Sequence, residues 1–157
     1  MKKIIRLITI ASFIFVGGFV HSTKAATTQT YKLSSYETQV FKLTNAERVK
    51  AHLKPLVIDV KLSKVARIKS QDMTSRHYFS HYSPVYGSPF DMMKRFGISY
   101  RYAAENIAQG QRTPLEVVKA WMTSPGHRAN ILNRNLKNIG VGYDAKGKTW
   151  TQQFISK

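Results

Sequence analysis

The chain has 157 residues, a formal charge of +17 and no cysteine. That length supports one compact domain rather than several. The missing cysteines exclude a disulfide scaffold, a thiolate metal centre and a cysteine nucleophile. A charge this positive points toward polyanionic surroundings and away from a basic binding partner.

The first 25 residues read as a secretory signal peptide. Lys2, Lys3 and Arg6 precede an uncharged, mostly apolar run from Leu7 to Val20, and Thr23-Lys24-Ala25 places small residues at −3 and −1 of a cleavage site. The run is shorter than the ~20 residues of a membrane span, so no anchor is expected after cleavage. No cysteine follows it for lipid attachment. Four of the 25 basic residues lie in this segment, which leaves 21 against eight acidic ones, a formal +13. Outside a cell that charge suits anionic envelope polymers first, with anionic lipid and nucleic acid behind them.

Residues 26–33 form a polar lead. From Ser34 to about Leu53, Tyr36, Val40, Leu43 and Ala46 recur at helical spacing, and the helix must stop before Pro55. "PLVID" is extended. Asp59 caps a second helix with Leu62, Val65, Ala66 and Met73 on one face, ending near His77. "HYFSHYSPVYGSP" is a long ordered loop. Ser88 to Phe96 is a short helix closed by Gly97, and "AENIAQG" fits strand or loop. Thr113-Pro114-Leu115-Glu116 reads as a capping box, with Leu115, Val118 and Met122 as the buried stripe. Ser124-Pro125 opens another helix. "NIGVGY" and "TWTQQF" then switch to period two around the turn "DAKG", a β-hairpin whose first strand is glycine on one face, so something packs close against it.

No HExxH, GxSxG, phosphate-loop or calcium-loop pattern is present. After residue 25 the histidines are His52, His77, His81 and His127. His77 and His81 are four apart, but the intervening residues break the helix and the spacing is accidental. His127 lies in the first turn of its helix, where the dipole disfavours imidazolium, beside Gly126, which permits close approach. Glu116 can complete its capping box. Glu105 is either an exposed loop charge or a buried, partnered carboxylate, and spacing does not decide between them. Five of the eight tyrosines fall between Tyr78 and Tyr102, where they suit either a stacking cleft or the packing of a long loop.

"LTNAER", "HYFSHYSP", "GSPFDMM", "AENIAQG", "EVVKAWMTSPGHRANILN" and "NIGVGY", in this order, resemble the CAP superfamily, also called the SCP domain, and most nearly its secreted bacterial branch. The likeness runs from about Ser34 to Phe154. It implies an α+β fold, a three-layer α-β-α sandwich with a central antiparallel sheet, over residues 34–157. It also implies a cleft lined by His81, Glu105, Glu116 and His127, with a divalent metal, often zinc, on His81 and His127, and Gly126 letting that helix start approach. The implied activities are a monomeric envelope-ligand binder; a metal-dependent peptide or ester hydrolase using Glu105 or Glu116 as base; or a lipid or sterol binder using "GSPFDMMKRFGI". Ala104, and Val85-Tyr86-Gly87 at the cleft rim, depart from the usual pattern.

Overall fold

A computed structural model of the chain describes residues 31–157. The signal segment 1–25 and most of the polar lead lie outside the described residues.

Five helices and four strands follow one another as α1 (Ser35–Lys50), β1 (Val57–Ile58), α2 (Val60–Ser75), α3 (Pro89–Arg95), β2 (Tyr102–Gln109), α4 (Pro114–Thr123), α5 (Pro125–Ile131), β3 (Asn138–Asp144) and β4 (Thr149–Ser156). The strand order is β1-β3-β4-β2. The three long strands are antiparallel, as expected, and the two-residue β1 joins β3 in parallel, which makes the sheet mixed. The alternative left open for "AENIAQG" resolves as strand β2.

The sheet lies between two helical layers. On one side Val40 of α1, Val117 and Trp121 of α4 and Ile131 of α5 pack on Ile139, Val141, Trp150 and Phe154. On the other side Leu62 and Val65 of α2 and Met92 and Met93 of α3 pack on Ile155. The glycine face of β3 is what lets α2 in. A Cβ at Gly140 would sit 2.4 Å from the Leu62 carbonyl carbon, and one at Gly142 would sit 2.1 Å from that of Ala66. Backbone therefore rests on backbone along two turns of α2, and Ser63 Oγ accepts from the Val141 N–H at 3.2 Å.

Local signals set the helix ends. Ser34 and Glu37 form a reciprocal capping box on α1, Asp59 caps α2, and Ser88 with Asp91 caps α3. The first three helices all close with the same pair of backbone bonds. His52 N–H donates to Val49 O and Leu53 N–H to Arg48 O; His77 donates to Thr74 and Tyr78 to Met73; Gly97 donates to Lys94 and Ile98 to Met93. This is the Schellman arrangement, and its left-handed residue is His52 (φ 56°), His77 (φ 55°) or Gly97 (φ 68°). Two histidines that matched no site are thus helix-terminating residues.

Two buried stripes differ from expectation. On α1 the buried positions are Glu37, Val40, Thr44 and Arg48, while Ala46 is exposed. The stripe is largely polar because each group finds a distant partner. Thr44 accepts from Gln152 at 2.7 Å, and Arg48 donates to the carbonyls of Lys54, Ile131 and Asn133 at 2.8–2.9 Å. On α4 the stripe is Pro114, Val117, Val118 and Trp121, and Leu115 faces solvent. The Trp121 indole N–H reaches the Ile107 carbonyl at 3.2 Å, which sets the rotation of the helix.

Substituting Gly142→Ala forces a methyl into the α2 backbone with no flexible side chain to yield. Overpacking of this kind usually costs about 1–3 kcal/mol, and here a loss of about 3 kcal/mol or more is expected in urea unfolding. A variant as stable as the parent would contradict this close approach.

Candidate functional site

His81 lies in the loop between α2 and α3, and that loop is tied down from beneath. The Lys69 ammonium on α2, almost fully buried, donates to the Ser80 and His81 carbonyls at 2.8 Å each and to the Tyr78 hydroxyl at 3.2 Å. Asp72, one turn on, accepts from the Tyr78 hydroxyl, from Ser83 Oγ at 2.7 Å and from Arg76 Nε at 2.9 Å. Burial, followed by the bond to Asp72, pushes the Tyr78 hydroxyl pKa up, so it stays a donor. Two backbone bonds between Ser83 and Gly87 pinch the far side of the loop. Burial lowers the Lys69 pKa, and the negative charges of Glu105 and Asp72 oppose that shift.

Glu105 resolves as the buried alternative. Its side chain is 1% exposed, while that of His81 is 51% exposed. Glu105 Oε1 meets His81 Nδ1 at 2.9 Å, and Oε2 accepts from Gln153 Nε2 at 3.0 Å. Gln153 stands opposite Glu105 in the β2–β4 register, on the same face of the sheet. The bond to Nδ1 orients the His81 ring and leaves Nε2 as its outward nitrogen.

His127 is the third residue of α5 and is half-buried. Its helix is fastened beside Glu105 by asparagines. Asn106 Nδ2 donates to the His127 carbonyl at 3.1 Å, Asn130 Nδ2 donates to Asn106 Oδ1 at 2.8 Å, and Asn130 Nδ2 reaches the Glu105 carbonyl at 3.4 Å. Burial first, and the neighbouring His81 second, hold the His127 imidazole below the ordinary histidine range. These causes, more than the dipole of a seven-residue helix, keep it neutral. The expected role of Gly126 is not seen, since a Cβ built there meets nothing within 4 Å.

The structure thus brings His81, Glu105 and His127 together. Glu116 stands apart from them in its bonding. It is exposed at the start of α4, its N–H donates to Thr113 Oγ1 at 3.2 Å, and its carboxylate accepts from the Arg112 N–H at 2.8 Å. The expected capping box does not close, because the carboxylate takes the N–H of Arg112 and not that of the N-cap Thr113, and Glu116 has no hydrogen bond to the other three.

Among the described residues, no three His, Cys, Asp or Glu side chains converge as a metal-holding group. The donor set is two imidazoles, one backed by a carboxylate through its second nitrogen, which is a familiar outer-shell arrangement for a metal-ligating histidine. It fits a divalent ion that keeps open positions, with two protein ligands rather than the usual three.

Lys69, Asp72, Asn106, Asn130 and Gln153 were not anticipated as site residues. For Lys69 a signal existed. It falls between Leu62, Ala66 and Met73 at spacings of three and four, in the middle of a buried stripe.

The sequence profile of the cysteine-rich secretory protein family, CAP, matches residues 41–154. The chain is 64% identical over 135 residues to YkwD of Bacillus subtilis, covering 86% of this chain and 52% of YkwD. It is 39% identical over 121 residues to the B. subtilis membrane protein YlbC, covering 77% of this chain and 34% of YlbC. Among solved structures, an extracellular protein of Bacillus anthracis containing an SCP domain superposes with a TM-score of 0.75 at 37% identity, covering 78% of this chain and 40% of that one. An outer surface protein of Borrelia burgdorferi shares the fold at a TM-score of 0.70 and 22% identity, covering 82% of this chain and 98% of that one. The chain therefore spans about half, or less, of the length of the curated relatives it matches.

Because His127 is held below its unfolded pKa of about 6.5, the unfolded chain takes up this proton first as pH falls. The contribution is fully present above about pH 6.5 and is lost as pH falls through the folded value. The drop in Tm between about pH 7.5 and about pH 5 is expected to be smaller in His127→Gln than in the parent. An equal drop in both would remove His127 as a source of acid sensitivity.

Proposed function

We infer that this chain, which belongs to the cysteine-rich secretory protein (CAP) family, is exported and binds an envelope ligand in the cleft of His81, Glu105 and His127, with a divalent metal, zinc by donor type, on the two imidazoles. The observation that carries this reading is His81 held on buried Glu105 near a neutral His127. When bound, zinc would offer open coordination positions to an oxygen of the ligand. Glu105 fixes the His81 ring, Lys69 fixes the loop beneath it, and Asn106 and Asn130 fix the helix that carries His127.

Binding is favoured over peptide or ester hydrolysis because both oxygens of Glu105 are engaged, and Glu116 has no hydrogen bond to the histidines, its carboxylate accepting from the Arg112 N–H instead. It is also favoured over a lipid groove at "GSPFDMM", because Met92 and Met93 are buried against α2. Export rests on the basic start, apolar run and cleavage pattern of residues 1–25. No helix of the described residues is long and apolar enough to cross a membrane.

Retention at the envelope follows from how the charges are used. All eight acidic side chains have internal work. Asp59 and Asp91 cap helices; Glu116 accepts from the Arg112 N–H; Glu37, Asp72 and Glu105 sit in buried networks; Asp144 accepts from the Gly147 N–H; and Glu47 pairs with Lys50. Apart from the buried Arg48 and Lys69, the basic excess is left to attract polyanions over about one Debye length.

Zinc titration calorimetry near neutral pH should give a single ion on each chain. Binding should be lost in His81→Ala and in His127→Ala, weakened roughly 10–100-fold in Glu105→Gln, and unchanged in Glu116→Gln. Binding that survives both alanine variants, or no binding to the parent, would overturn the metal reading. Separately, retention on purified bacterial cell walls should fall steeply between low salt and about 0.5 M salt, and salt-independent retention would overturn the electrostatic reading.

A further inference from the structure

A second cleft, of about 450 Å³, opens where the α2 C-terminus meets the end of β2 and the β3–β4 turn. It is lined by the buried Met73, by Tyr78 and Phe79, the latter 51% exposed although it is a large aromatic, by Gln109 and Lys146, and by the exposed His77 at its rim. No carboxylate lines the cleft. The side chains of His77, Gln109 and Lys146 have no hydrogen-bond or ion-pair partner among the described residues. The Asp72, Met73 and Thr74 carbonyls at the end of α2 accept from the N–H groups of Arg76, Tyr78 and His77. His77 keeps a left-handed backbone that glycine would adopt with less strain, and this places an imidazole at the rim.

We propose that this cleft binds a small organic anion with one apolar face, an aryl or short acyl carboxylate, with the apolar part against Met73 and Phe79 and the carboxylate on Lys146, helped by Gln109 and His77. The volume suits a ligand of that size. An apolar body explains the exposed Phe79, and the unpaired ammonium selects carboxylate over an uncharged head. The proposal is independent of the His81–His127 cleft. Glu105, in that cleft, and Gln109, in this one, are four residues apart along β2.

The test is an amide-shift NMR titration of the isotope-labelled protein with phenylacetate, run beside its neutral counterpart phenylacetamide. Saturable shifts are expected at residues 73–79, 109 and 146–147. Phenylacetamide should bind about tenfold more weakly, and Lys146→Ala should raise the Kd for phenylacetate by about tenfold. Lys146→Arg should restore most of the affinity. Phe79→Ala should weaken both compounds, whereas His81→Ala should leave both unchanged, which separates this site from the histidine cleft. Shifts scattered over other basic surfaces, an unchanged Kd in Lys146→Ala, or equal binding of acid and amide would each overturn the proposal.

Discussion

The rest of the structure depends on the direct contact between the α2 backbone and the glycine face of β3. With Gly140 and Gly142 offering no side chain, α2 can lie along the strand closely enough for Ser63 and Ser70 to bond to its backbone. Small hydroxyl pairs continue the contact, Ser70 with Thr151 and Thr74 with Thr149. Together they fix both the rotation and the axial position of the helix. Lys69 and Asp72 are carried on that helix, and the His81 loop hangs from those two side chains. A shift of α2 by one residue would turn Lys69 about 100° away from the carbonyls it holds.

Buried charge here organises loops more than it adds stability. Arg48 gathers the carbonyls of the loop after its own helix and of the distant connection from α5 to β3, Glu37 joins Arg67 to the N–H groups of Ser34 and Tyr143, and Lys69 gathers the loop that holds His81. Each such group carries a desolvation penalty, which is tolerable only because nearly all its hydrogen-bonding capacity is used. Each also serves chain segments with irregular backbone, whose carbonyls need donors once they are covered. A chain without cysteine thereby holds its long loops in place by buried polar side chains instead of disulfides.

The candidate site is a convergence of three such supports on one edge of the sheet. β2 contributes Glu105 and Asn106 on opposite faces, so a single strand holds the His81 ring on one side and the His127 helix on the other. Alternation along the strand accounts for this division. The burial of His127, and after it the nearness of His81, then keep His127 neutral, a property that belongs to the assembled cleft and not to either segment alone.

Sequence by itself determined the Asp59 and Thr113 caps, the turn of the hairpin, the glycine face of β3 and the motif set that marks the family. Each of these is written within a few consecutive residues, because capping and turn formation involve groups three or four positions apart. It also singled out His81, Glu105 and His127, through the motifs around them. Only the tertiary structure decided that Glu105 is buried, that Glu116 bonds its own loop and not the cleft, and that α1 buries Glu37 and Arg48 instead of Ala46. The buried groups among these depend on partners 24 to 106 residues away, as with His81 and Glu105 or Glu37 and Tyr143. A charged side chain reads as solvent-facing until the group that compensates its burial is brought beside it, and chain folding alone does that.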